Sequence, residues 1–328
     1  MLRSNGLAVS DAPRPAAVRI ATTVAKLVLS VGVLAFVLRN TSLQALWLTL
    51  RRVQPLWLMA AFAANLLVMA VSIWRWRLLL AAQQVDIPAR TLSESYWVAL
   101  FFNNFLPSNI GGDVVRIADT SQVAGSKTLA TTVVLVDRVL GACALLTVGA
   151  VGAAVAGAFG VVIPGTGWLE LAALVALAVC VPLFLAPGLL DALVSPLRAS
   201  GHPWVVERLS LLQEALGRFR ARPASLLGAL GGALVVQVVI VGFYALTARS
   251  LSIPLPMMMA GVLVPVALAV QMAPVSINGF GVREAVFSFF FVRFGFGVEA
   301  GVAVSLLGTA LIMLFSLGGG ALFLLRRH

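Results

Sequence analysis

Asn103–Arg116 reads NNFLPSNIGGDVVR, a Pro/Gly/Asn-rich break inside an apolar chain. A related stretch, QMAPVSINGFGVRE, occupies Gln271–Glu284. The spacing from Pro107 to Arg116 is repeated from Pro274 to Arg283. Each stretch runs from apolar residues through proline, a Ser/Asn cluster and two glycines to an arginine. Neither can continue as a regular helix, because proline removes an amide donor and glycine favours turns and close backbone approach. Asn104 and Asn109 add turn chemistry. Pro107, Gly111 and Gly112 are therefore the expected turn residues of the first break. Pro274, Gly279 and Gly281 are those of the second.

The surrounding composition decides the medium. The chain has 328 residues, of which 61% are hydrophobic and 11% charged, and its mean hydropathy is +1.03. Soluble domains carry roughly 25% charged residues, so a polytopic membrane protein is expected. The net charge of +11 does not point to nucleic acid. The arginines cluster in loops beside apolar segments, which is positive-inside topology with attraction to anionic lipid as a secondary effect. Cys143 and Cys180 fall within apolar segments and read as small hydrophobes. No HExxH motif or Cys/His cluster occurs, so neither metal nor cofactor is expected. The polar tail 1–19 precedes an apolar run without a cleavage signature, which reads as a retained first span.

A span needs about 20 mostly apolar residues. Six candidates meet this: Ile20–Leu38, Leu56–Ile73, Val139–Phe159, Trp168–Ala186, Ser225–Thr247 and Val298–Leu325. Irregular backbone at membrane depth is tolerated only in protein or beside a wet cavity. Both breaks are therefore predicted as re-entrant hairpins, with motifs at 96–116 and 255–284. Pro55 and Pro223, Pro107 and Pro274, and Arg116 and Arg283 recur at nearly one offset. The predicted fold is an all-α polytopic membrane protein with six transmembrane helices and two re-entrant broken-helix hairpins. Repeat A spans 20–160 and repeat B 168–328. An odd number of spans per repeat makes the repeat inverted, with a substrate site at the interface. Charge counting favours cytoplasmic N- and C-termini, with Arg51 and Arg52 against the trend. Amphipathic linkers are expected at Leu43, Leu46, Trp47 and Leu50, and at Val205, Leu209, Leu212, Leu216 and Phe219.

Intramembrane charges are costly and are paired or line a watery path. Asp113 and Arg116 follow the first turn, and Arg283 and Glu284 the second. Two arginines reaching one central cavity from opposite sides, each balanced by an acid, would suit phosphate through their forked donors. The alternative is that these charges only fix hairpin depth. Asn103, Asn104, Asn109 and Asn278 could bind a polar headgroup or could satisfy the broken backbone. Asp137 and Arg138 open the third span and either support the first hairpin or cap a helix. Trp74-Arg75-Trp76-Arg77 reads as an interfacial belt with snorkelling arginines. The glycines of Gly279–Gly281 lack the strand and lysine of a nucleotide loop.

At NNFLPSNIGGDVVR, at VDRVLG (Val136–Gly141) and at INGFGVREAVF (Ile277–Phe287) the chain resembles the lysylphosphatidylglycerol synthase transmembrane-region family, also called flippase-like domain proteins. In its bifunctional members this region is implicated in moving aminoacylated phosphatidylglycerol between leaflets, and a separate soluble domain makes that lipid from aminoacyl-tRNA. Here Arg326, Arg327 and His328 follow the last span, so synthase activity and tRNA use are not expected. The resemblance implies a non-enzymatic, flippase-like transporter in a bacterial inner membrane. Its expected partners are anionic phospholipid or polyprenyl phosphate, and lipid or glycan assembly enzymes. Two alternatives stay open. One is a glycosyl- or phospho-transferase using Asp113. The other is a non-catalytic partner of an assembly enzyme.

Overall fold

The computed structural model describes residues 16–39, 41–106, 111–160, 167–168, 170–176, 203–272 and 276–326. Pro107, Asn109, Pro274, most of the polar tail and most of the expected span Trp168–Ala186 lie outside these. All regular structure among the described residues is helical. The helices are α1 (Ala16–Arg39), α2 (Leu43–Leu50), α3 (Pro55–Ala82), α4 (Ala89–Phe105), α5 (Gly111–Ala124), α6 (Lys127–Ala158), α7 (Pro203–Arg220), α8 (Pro223–Ser250), α9 (Met257–Met272), α10 (Val282–Arg293) and α11 (Val298–Leu325).

Four of these, α3, α6, α8 and α11, are long and apolar enough to cross a membrane. The second half of α1 and most of α2 meet at 94° and together form a candidate fifth span. Proline opens both α3 and α8, where its missing amide costs nothing. Ser126 caps α6 by accepting from the Leu129 amide at 3.2 Å. That start lies well before Val139, so Asp137 and Arg138 sit inside a helix and do not open a span. The broad apolar faces of α3 and α8 stay exposed, at Leu67, Trp74, Leu227 and Val238 for example, as a lipid solvent allows.

Each break is flanked by two helices that pack on each other. In the first, α4 packs on α5; in the second, α9 packs on α10. Gly111 and Gly112 begin α5, whereas Gly279 and Gly281 turn with φ of 76° and 82°. A Cβ on Gly281 would also lie 2.6 Å from the Ser30 carbonyl of α1. That position needs glycine both for its backbone angle and for its neighbour.

Similar local structures recur about 168 residues apart. After α3, Gln84 takes φ 61° and the Val85 amide donates to Leu80 O at 3.0 Å. After α8, Ser252 takes φ 61° and the Ile253 amide donates to Ala248 O at 3.0 Å. Both are left-handed caps that satisfy the last carbonyls of a helix. The packing partners also recur. Helix α6 crosses α9 where Gly152 meets Gly261, and α11 crosses α4 where Gly319 meets the Trp97 backbone. Helices α3 and α8 pack on each other between these pairs.

A Cβ at Gly319 would overlap the Trp97 carbonyl oxygen, whereas one at Gly157 meets nothing within 4 Å. Gly319→Val is expected to lower thermal stability in detergent by roughly 1–3 kcal/mol through overpacking. Gly157→Ala should leave it unchanged or slightly raised. Equal losses at the two positions would contradict the crossing.

Candidate functional site

Two cavities lie between the hairpins. The larger is about 360 Å³ and is lined by Arg75, Arg116, Arg138, Asp113 and Asp137 together with Asn103 and Asn104. The smaller is about 170 Å³ and is lined by Arg283, Thr309 and Asn65 among others. Asn104, Gln271 and Asn278 line both, beside the apolar Val68, Ile240 and Leu268, so three amides form the polar part of a shared wall. The two hairpin arginines thus reach adjacent chambers from two sides of one partition.

The larger chamber is built on Asp137 of α6. Its Oδ1 accepts from Arg75 Nε at 2.7 Å, and its Oδ2 accepts from Arg116 Nη1 at 2.9 Å. All three side chains are at most 10% exposed. Arg116 is stacked with its Cζ 4.4 Å from the centre of the Trp76 ring and 5.6 Å from that of Tyr96. At the rim, Asp113 Oδ2 accepts from Arg138 Nε at 2.8 Å, and Arg138 is 43% exposed. The acid of each helix therefore pairs with the base of the other. Asp113 and Arg116, three apart on α5, do not pair with each other. The expected supporting pair, Asp137 and Arg138, does meet the first hairpin.

Sequence reasoning missed Arg75 and Trp76. Both are buried, whereas Trp74 and Arg77 beside them are exposed. Only half of the supposed interfacial belt faces outward. The available signal was helical periodicity, because Ser72, Arg75, Trp76 and Leu79 share one face of α3. On that face Arg116 also retains two buried donors, Nε and Nη2, without a hydrogen-bond partner among the described residues.

The second arginine sits in a closed network. Arg283 Nε donates to Ser305 Oγ at 3.3 Å, and Nη2 donates to Thr309 Oγ1. Its neighbour Glu284 lies 3.6 Å away and is fully buried. Glu284 Oε1 accepts from Ser305 Oγ at 2.8 Å, and Oε2 accepts from the Gly281 amide at 2.7 Å. Glu284 thereby caps α10. Ser305 and Thr309, one turn apart on the apolar α11, gave no charge signal in the sequence.

The amides divide by task. Asn103 Oδ1 accepts from the Gly112 amide at 2.8 Å, which fixes the start of α5. Asn278 Nδ2 donates to Asn104 O at 3.1 Å, and Gln271 Nε2 donates to Asn278 O at 3.2 Å. This chain of bonds ties the first hairpin to the second. Asn278 holds φ 50°, a left-handed angle that asparagine adopts more readily than most residues. Asn104 Nδ2 is buried without a partner among the described residues. Among the described residues, no group of His, Cys, Asp and Glu could hold a metal.

Residues 23–320 match the family model for the lysylphosphatidylglycerol synthase TM region. The chain belongs to this family. The match takes in both chambers, both hairpins and every described site residue. Membership in the lysylphosphatidylglycerol synthase TM region family makes the chain a multi-pass membrane protein with a lipid-related role. No curated relative matches it.

Truncating Asp137 leaves two buried guanidinium groups uncompensated. Asp137→Ala is expected to lower stability by about 3–5 kcal/mol. Asp113→Ala should cost less than about 1 kcal/mol, because water screens its half-exposed partner. Thermal unfolding of the purified variants checks this order, and equal losses would contradict the assigned burial.

Proposed function

We propose that the protein moves a phospholipid or a lipid-linked phosphate between leaflets of a bacterial inner membrane, as a flippase-like transporter. The headgroup enters the larger chamber and meets Arg116, while its tails stay in lipid along the apolar helix faces. Arg283 lies beyond the amide wall on the smaller chamber. Asn104, Gln271 and Asn278 stand between the two.

The observation that carries this reading is a polar chamber with charged side chains, set between helices whose outer faces are apolar. A buried cationic chamber is expensive in such a protein unless a ligand or water uses it. The matched caps at Gln84 and Ser252, and the exchanged crossings of α6 on α9 and α11 on α4, support a twofold inverted repeat. On that reading six spans and two re-entrant hairpins surround the path, both termini are cytoplasmic, and alternating access is rocking of one repeat against the other. The role is transport and not catalysis. Asp113, the candidate transferase residue, is occupied by Arg138. Lipid or glycan assembly enzymes are the expected neighbours.

The test is reconstitution into vesicles carrying leaflet-labelled lipids. Wild-type protein is expected to accelerate transbilayer exchange of an anionic lipid, and Arg116→Ala to slow it by roughly ten- to a hundredfold, the worth of a charge-assisted bidentate contact. Folded protein that accelerates no lipid class would sink the proposal.

A further inference from the structure

The two hairpin arginines hold equivalent places in the chain but not equivalent states. Arg283 is engaged by Ser305, Thr309 and Glu284. Arg116 spends Nη1 on Asp137 and keeps Nε and Nη2 without a partner among the described residues, with the residue only 6% exposed. Those two nitrogens form one edge of the guanidinium plane, and their N–H bonds run nearly parallel. Such an edge fits two oxygens of a single phosphate or carboxylate. Buried donors left unmade are costly, so this edge calls for an acceptor. The α5 amide at Gly112 is not a competing anion site, because Asn103 already accepts from it.

Charge then limits the ligand. Among the described residues, the charged groups on the wall of the larger chamber are three arginines, Arg75, Arg116 and Arg138, and two aspartates, Asp113 and Asp137. One positive charge is left over. A phosphodiester carries one negative charge and neutralises it. A phosphomonoester carries about −1.5 to −2 near neutral pH, and a prenyl pyrophosphate carries more. Either would leave negative charge uncompensated where solvation is poor.

We infer that the chamber holds one monoanionic phosphodiester, gripped by the free Nε/Nη2 edge of Arg116, and that Arg283 is part of the frame and not a second headgroup site. A diacyl phospholipid and a prenyl phosphosugar both present that group. This inference rests on the transport reading only in taking the ligand to be a lipid.

The experiment measures binding to the purified full chain in detergent by microscale thermophoresis. The probes are dihexanoyl phosphatidylglycerol, a short prenyl phosphosugar, farnesyl phosphate, farnesyl pyrophosphate, dihexanoylglycerol and inorganic phosphate. At least one of the two diesters is expected to bind roughly tenfold or more tightly than the monoester and the pyrophosphate. Which diester binds tells a phospholipid from a prenyl carrier. Dihexanoylglycerol and inorganic phosphate should show no comparable affinity. Arg116→Lys keeps the charge and loses the fork, and should weaken the diester by roughly ten- to a hundredfold. Pyrophosphate binding as tight as the diesters overturns the inference, as does full affinity in folded Arg116→Lys. Inorganic phosphate binding as tightly as the diesters also overturns it. None of these comparisons needs transport. Diester binding without lipid exchange would defeat the transport reading alone. Exchange of lipid with a preference for pyrophosphate would defeat this inference alone.

Discussion

Asp137 is the carboxylate on which the site depends. It is 4% exposed and bridges two arginines from different helices, Arg75 of α3 and Arg116 of α5, balancing one of their two charges. Without it, α3, α5 and α6 would meet around unbalanced positive charge in an apolar bundle, a situation that costs several kcal/mol. With it, the guanidinium of Arg116 is held against Trp76 with one donor edge to spare. The constraint also sets the rim. With Arg116 committed to Asp137, Asp113 is free to take Arg138, and α5 and α6 become joined by two crossed ion pairs.

The second hairpin solves the same problem by another route. No aspartate from α11 reaches Arg283. Two hydroxyls, Ser305 and Thr309, take its donors, and Glu284 supplies the negative charge while capping its own helix. Every described member of that cluster is buried and bonded. Corresponding positions of the two sequence breaks thus carry one open and one closed arginine. Between them runs the amide chain Asn104–Asn278–Gln271, which is uncharged and lies on the walls of both chambers.

Much of this was legible in the sequence. The paired breaks, their offset and the apolar periods lead to an all-α membrane chain. The charged residues beside the glycines lead to the chamber. The rest was hidden for physical reasons. Arg75 and Trp76 belong to a Trp/Arg run whose chemistry is the same for an interfacial belt and for a buried stack. Only the packing of α3 against α5 and α6 tells these apart. The i,i+3 spacing of Asp113 and Arg116 allows a local ion pair, but the pull of Asp137 across to Arg116 wins. Ser305 and Thr309 are polar groups of a kind that apolar helices often satisfy on their own carbonyls, so nothing in α11 flagged them. Of the asparagines, Asn103 and Asn278 make bonds to backbone, at Gly112 and Asn104, which was one of the two uses open to them.

The most direct test is an electron cryomicroscopy map of the protein in lipid nanodiscs. A phosphate peak within hydrogen-bonding distance of Arg116 Nε and Nη2, beside an intact Arg75–Asp137–Arg116 clamp, is the expected result. A map in which protein groups occupy that donor edge, or in which the headgroup sits on Arg283, would contradict it.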